Sequence, residues 1–269
     1  MDPLIIAEIG WNHMGDMALA EKMIIKAKES GCKIAKFQTW NVSRLKDGEW
    51  DNDGRREIYN NAELSIEDHY FLKDTCLKNS IQFLSSAFSI KDAELLKKIN
   101  CKSVKIPSFE VSNKDLLIFC KNNFQKIYIS TGTASEKEII ELEQTFKSWE
   151  GDLIVMHCVS AYPCNSENIN LPRINHLRKY FKNVGFSDHT QGIKTTISSL
   201  IMNPVAIEKH FTIDKNLPGR DNKFAILPNE MKFLNEYIIE MNNALIDHGI
   251  SYQSIETPSR EFYRGRFDG

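Results

Sequence analysis

Leu4-Ile5-Ile6-Ala7-Glu8-Ile9 is a short, β-branched apolar run, and a stretch of helical period from Met17 to Ser30 follows it. Read outward from this pair, the rhythm repeats. Further strands are predicted at Lys33 to Gln38, Gln82 to Phe88, Ser103 to Pro107, Lys126 to Thr131, Leu153 to Cys158, Val184 to Asp188 and Val205 to His210. Helix starts are signalled between them by Ser65 with Asp68, Ser89 before Ala93 and Leu96, Ser112 before Leu116, and Ser135 with Glu138. Strand followed by helix, repeated, demands parallel pairing, because each connection must carry the chain back across the sheet. About eight strands is the number that closes a (β/α)8 TIM barrel, and 269 residues suit one such α/β domain spanning 1–269. A doubly wound open sheet is the structural rival.

Bulk properties narrow the function. A formal net charge of −2 gives no basic field, so nucleic acid is not an expected partner. No apolar run approaches the roughly 20 residues of a membrane span, and no leader pattern opens the chain. A cytoplasmic location is therefore expected. The cysteines 32, 76, 101, 120, 158 and 164 form no CxxC pair and read as free thiols. Asn41 to Leu64 is the longest polar interruption and reads as a long loop, either a lid over a site or a mobile insertion. Pro228 to Ile246 reads as a closing amphipathic helix, and about 247–269 as a polar tail.

Polar residues gather where the apolar runs end, and in a barrel those ends converge on the catalytic face. Among them, Lys36 and Lys105 interrupt strands, and a buried ammonium is costly without an anion. Either a phosphate or carboxylate ligand supplies it, with Ser86, Ser108, Ser130 and Ser187 completing a cradle, or a core carboxylate such as Glu8 or Glu110 does. His189 and His210 close neighbouring strands and could share one divalent ion, with Asp221 and Glu8 holding water nearby. His13, His69, His176 and His248 sit in polar or helical contexts and read as surface residues. His157 and Cys158 are adjacent on a strand, point to opposite faces and cannot form a nucleophilic pair. Gly10 and Gly15 do not fit a dinucleotide fingerprint.

Ile6-Ala7-Glu8-Ile9-Gly10-Trp11-Asn12-His13-Met14-Gly15-Asp16 resembles the opening of the sialic acid (nonulosonate) synthase family. Ala35 to Thr39, Lys105 to Glu110, Ser130 to Gly132, His157 to Pro163, Phe186 to Thr190 and Glu208 to Thr212 resemble further blocks of that family, in order. The resemblance implies a barrel that binds phosphoenolpyruvate and a divalent ion, manganese foremost, with magnesium or cobalt as substitutes. It implies that the enol carbon attacks the open-chain aldehyde of an N-acetylated amino sugar, that water adds, and that phosphate leaves by carbon–oxygen cleavage. Carried over by position, Lys36, Ser86, Lys105, Ser108, Ser130 and Ser187 would hold phosphoenolpyruvate, with Ser160 and Tyr162 nearby. His189 and His210 would ligate the metal, Gln38 and Asp221 would face the sugar, and Glu8 and Glu110 would handle protons and water.

Two departures from the family bear on the acceptor. An antifreeze-like C-terminal domain, which in the family lends an arginine to the partner subunit's sugar site, is not expected here; Arg220, Arg264 or Arg266 would substitute, and a homo-oligomer is left open. The family's Pro-Gly-Pro-Asp is Pro-Gly-Arg-Asp here, which puts a cation beside Asp221. The rivals are another phosphoenolpyruvate–sugar condensation, of the octulosonate phosphate type, and a catalytically silent barrel that acts as a binding partner.

Overall fold

In the computed structural model, which describes residues 2–267, eight parallel strands close into a barrel in sequence order. They are β1 (Leu4–Gly10), β2 (Ile34–Thr39), β3 (Gln82–Ala87), β4 (Ser103–Ile106), β5 (Lys126–Ser130), β6 (Asp152–His157), β7 (Val184–Asp188) and β8 (Ala206–His210). The helices are α1 (Met17–Glu29), α2 (Arg55–Ala62), α3 (Ile66–Lys78), α4 (Ile90–Lys98), α5 (Lys114–Asn123), α6 (Glu136–Phe146), α7 (Arg173–Leu177), α8 (Lys194–Ser199), α9 (Pro228–Ala244) and α10 (Thr257–Tyr263). The open sheet is thereby excluded, and the strand boundaries agree with the sequence reading to within a residue or so.

Residues two apart on a strand share a face, and this alternation sorts the barrel into two cores. One parity faces the helices: Ala7, Ala35, Phe37, Val104, Ile127, Ile129, Val155, Phe186 and Ile207 pack in the large outer cluster. The other faces inward, where Ile6, Ile34, Leu84, Tyr128, Ile154, Met156 and Ala206 plug the barrel. Gly185 belongs to this layer because a Cβ there would lie 2.5 Å from Met156 Sδ and 2.7 Å from Ala206 O. Above the plug the inward positions turn polar, which makes it the floor of a site.

Capping boxes start α3 at Ser65 with Asp68 and α6 at Ser135 with Glu138. Helix α5 is capped one residue later than expected, by Asn113, whose Oδ1 accepts from Leu116 N at 3.2 Å; Ser112 is not the cap. The segment from Asn41 to Leu64 is not a plain loop. It carries two 3-10 turns and α2, held by Glu63, which accepts from Asn41 Nδ2 and Val42 N at 2.7 Å each. Its α2 lies against the β1 loop so closely that a Cβ on Gly15 would meet Asn61 O at 2.2 Å. The C-terminal stretch is likewise not featureless, since a 3-10 turn and α10 occupy it; residues 268 and 269 lie outside the described residues. Its Arg266 stacks on Tyr263 and Phe267 of the same stretch. All six cysteines are free, and no described helix is long and apolar enough to cross a membrane.

Candidate active site

A cavity of about 1050 Å³ opens at the C-terminal ends of the strands. Every residue carried over by position for the donor, the acceptor or the metal lines it: Glu8, Lys36, Gln38, Ser86, Lys105, Ser108, Glu110, Ser130, Ser160, Tyr162, Ser187, His189, His210 and Asp221. Of the three substitute arginines only Arg220 does so. Arg264 and Arg266 are exposed on the C-terminal stretch away from the cavity.

The floor is a buried network of two ammonium groups and two carboxylates. Lys36 Nζ lies 2.8 Å from Glu8 Oε2 and 3.7 Å from Glu208 Oε2, and donates to Ser86 Oγ at 3.0 Å. Lys105 Nζ donates to both oxygens of Glu208, at 3.2 and 3.1 Å, and Ser187 Oγ donates to Glu208 Oε1 at 2.9 Å. The carboxylate reading of the lysines therefore holds, but the partner of Lys105 is Glu208, not Glu110. Glu110 sits at the rim, where its Oε2 accepts from Asn113 Nδ2 at 2.7 Å. Glu208 was visible in the sequence only as one of several strand-end residues. The signal that finds it is parity: it stands two residues before His210, so both face inward.

Burial would raise the Glu208 pKa, yet Lys105 and Lys36 overcome it and hold the group at about 2. Glu8 goes the other way. Burial outweighs Lys36, whose charge is shared with Glu208, and the Glu8 pKa is raised, although Gln38 Nε2 donates to its Oε1 at 2.6 Å. Burial lowers Lys105 despite Glu208, whereas Glu208 and Glu8 together raise Lys36. The result is one permanently ionised carboxylate and one that can take a proton, side by side.

Beside the floor, Gly132 N donates to Ser108 Oγ at 3.0 Å, and Ser108 Oγ lies 3.0 Å from Cys158 Sγ. Gly132 has no room for a side chain: a Cβ would stand 2.3 Å from Ser160 Oγ and 2.8 Å from Ser108 Oγ. Hydroxyls and a backbone amide thus crowd one wall of the cavity.

The imidazoles of His189 and His210 have centroids 5.5 Å apart, with the Tyr162 ring 4.3 Å from that of His189. His189 Nδ1 donates to Val159 O at 2.7 Å, which leaves Nε2 as the free electron pair. His210 Nδ1 is buried without a hydrogen-bond partner, 3.4 Å from Asp221 Oδ2. Burial lowers both pKa values, and for His210 the neighbouring His189 and Lys36 add to the effect, so both rings are held neutral. With a metal–nitrogen bond of about 2.1 Å, each centroid sits about 3.2 Å from the ion, so rings up to about 6.4 Å apart can share one. The pair fits a divalent ion, though no cluster of three or more such side chains occurs among the described residues. Burial, with Glu8 adding, pushes Asp221 up to about 7.

Not every strand-end polar group faces the site. Lys209 and Asp188, of the opposite parity, form a buried pair at 3.0 Å outside the barrel, with Thr196 Oγ1 and Thr190 N also on the carboxylate. This strut anchors the loop that carries His189. His13 and His69 are buried, not surface residues. His13 Nδ1 accepts from Gly15 N at 3.1 Å, and His69 lies between Ser65 O at 2.6 Å and Thr39 Oγ1 at 2.8 Å. His176 and His248 are exposed, as expected. His157 is buried behind the site, its Nε2 donating to Ile169 O at 2.7 Å, away from Cys158.

Fold and site together define a (β/α)8 barrel whose cavity gathers two buried ammonium groups and two imidazoles. The chain belongs to the NeuB family, which it matches over residues 23–249. It is 35% identical to the N,N'-diacetyllegionaminic acid synthase of Legionella pneumophila, over 91% of this chain and 74% of that protein. It is 31% identical to a pseudaminic acid synthase of Campylobacter jejuni, over 98% of this chain and 80% of the relative. Among solved structures, the N-acetylneuraminic acid synthetase of Leptospira borgpetersenii, in complex with citrate, superposes with a TM-score of 0.84 at 30% identity, covering 99% of this chain and 94% of that one.

Proposed function

We propose that this barrel condenses phosphoenolpyruvate with the aldehyde of an N-acylated amino sugar, adding water and releasing phosphate to give a nonulosonic acid. The observation that carries the reading is the pair of buried ammonium groups, Lys36 and Lys105, opening into one cavity beside His189 and His210. The legionaminic and pseudaminic acid synthases among the relatives support it.

In this reading the donor's phosphate and carboxylate lie over the two lysines and accept from Ser86, Ser108, Ser130 and Ser187, and Gly132 leaves the wall thin enough to admit them. A divalent ion on His189 and His210, with manganese the first choice, would polarise the aldehyde oxygen as a Lewis acid. The donor's terminal enol carbon bonds to the aldehyde carbon, and water bonds to the carbon that bears the phosphate. The bond from that carbon to the phosphate oxygen then breaks. Glu8, with its raised pKa and its hydrogen bond from Gln38, is the chain's best proton carrier for the water. Glu110, tied to Asn113 at the rim, is less well placed for that role. Glu208, ionised throughout, keeps both lysines charged and pointing inward.

Phosphate release from phosphoenolpyruvate across a panel of aldehyde sugars, phosphorylated and not, tests the reading. Turnover with unphosphorylated N-acylated amino sugars is expected. Reaction with phosphorylated pentoses or hexoses alone would replace the acceptor class by the octulosonate type. Metal removal, His189→Ala and His210→Ala should each silence turnover with the fold intact, and full activity after exhaustive chelation would remove the ion from the proposal.

A further inference from the structure

Five of the six cysteines pack in or against the outer core, whereas Cys158 lines the cavity. It stands two residues beyond Met156 of the apolar plug, so strand parity aims it inward. Its Sγ lies 3.0 Å from Ser108 Oγ, and either atom can supply the proton between them. Ser108 Oγ also accepts from Gly132 N at 3.0 Å. The three groups are held close: a Cβ on Gly132 would lie 2.8 Å from Ser108 Oγ and 2.9 Å from Cys158 Sγ. A hydroxyl has one proton and two lone pairs. Gly132 occupies one lone pair, so the direction of the contact with Cys158 decides whether Ser108 has a proton to offer the cavity that it lines. If the hydroxyl donates to sulfur, it meets an incoming anion with a lone pair. If the thiol donates instead, both lone pairs are filled and the hydroxyl proton is left for a ligand.

We infer that Cys158 is a positioning residue: its thiol donates to Ser108 Oγ and so turns the Ser108 proton toward an anionic oxygen of phosphoenolpyruvate. This rests on the donor site proposed above. Sulfur is a weak acceptor and a phosphate or carboxylate oxygen a strong one, so with the anion in place the hydroxyl proton goes to the ligand. The thiol then has Ser108 Oγ as its own acceptor, across the same 3.0 Å. Ser108 thereby makes three hydrogen bonds, accepting from Gly132 N and Cys158 Sγ and donating to the anion, and its hydroxyl has one orientation. With alanine at 158 the second lone pair is unfilled and nothing from β6 fixes where the proton points.

Calorimetric titration with phosphoenolpyruvate tests this without needing turnover. Cys158→Ala should weaken binding about three- to tenfold, and Cys158→Ser, whose hydroxyl can make the same donation, should recover part of the loss. Because Cys158 acts through Ser108, Cys158→Ala should cost nothing further in a Ser108→Ala background. A residue that merely fills space would give no recovery with serine and the same penalty in both backgrounds, and either result overturns the inference. A second readout uses the native protein. The infrared S–H stretch of Cys158, identified by its loss in Cys158→Ser, should lie with phosphoenolpyruvate bound at the lower frequency of a donating thiol, and should rise in Ser108→Ala, where its acceptor is gone. A band that Ser108→Ala leaves in place overturns the inference. Native protein that does not bind phosphoenolpyruvate removes the donor site and this inference with it. Native binding that Cys158→Ala leaves unchanged removes the inference alone.

Discussion

Replacing Glu208 by Gln keeps the shape of the barrel floor and removes one charge. In the native floor that carboxylate, with its side chain 6% exposed, faces Lys105 at 3.1 Å and Lys36 at 3.7 Å. At an effective dielectric near 20, attraction at the shorter distance is about 5 kcal/mol, the same order as the roughly 3–5 kcal/mol lost when one member of a buried ion pair is removed. For a domain of this size about 1 kcal/mol moves Tm by roughly 2–4 °C, so Glu208→Gln should melt about 6–20 °C below the native protein. The loss should be recoverable. With the competing carboxylate gone, the two lysines lack an anion, and phosphoenolpyruvate or inorganic phosphate takes its place. Either anion at 100-fold its Kd returns about 2.7 kcal/mol, and the Kd itself should be tighter in the variant. Thermal melts of both proteins over an anion titration, at fixed pH and salt, provide the assay. If the variant melts with the native protein, or if anions raise both curves equally at every concentration, the lysines do not depend on a shared counter-charge and the reasoning fails.

Three further outcomes are expected. Gly132→Ala should abolish turnover while the fold persists, because its Cβ would enter the space of Ser160 Oγ at 2.3 Å and Ser108 Oγ at 2.8 Å; near-native kcat/KM would show that the cradle has slack. Asp188→Asn leaves Lys209 buried without its charge partner outside the barrel and should cost about 3–5 kcal/mol in denaturant unfolding, where a change under 1 kcal/mol would deny the strut its role. Burial lowers His157 to about 4 from an unfolded value near 6.5, so its contribution is complete above pH 6.5 and is lost as pH falls towards 4. That is about 3.4 kcal/mol over the window, and His157→Gln should flatten this part of the stability–pH curve; an unchanged slope would place the acid sensitivity elsewhere.

The barrel was legible because its signal is local: each strand is a short apolar run, and α3, α4, α5 and α6 each begin at a Ser or Asn that caps its own first turn. At α2 that signal is missing, and the segment reads as a loop. Helix α2 starts at Gly54, in the left-handed region at φ 83°, with no side-chain cap, and only Ala62 of its residues is buried. Its stability comes instead from Tyr59 against Trp11 and Trp40, which are distant in sequence. His13 and His69 misled for the same reason. Their immediate neighbours are polar, and their burial is decided by elements packed over them.

The site's legibility follows from the period of a strand. Counting two residues up from the plug positions Ile6, Ile34, Leu84, Tyr128 and Ala206 gives Glu8, Lys36, Ser86, Ser130 and Glu208, the inward ring. A shift of one residue would turn these groups into the outer core and bring the Asp188–Lys209 pair inside. Such a slip is opposed by the whole apolar plug, which would have to move into the helix layer at the same time. The costly buried charges are therefore held in place by apolar side chains one layer below them, and the precision of the ring belongs to the floor beneath it. What strand parity cannot supply is the pairing within the ring. Lys105 meets Glu208 rather than Glu110 because β4 and β8 face each other across the closed barrel, and that relation exists only once the cylinder has formed.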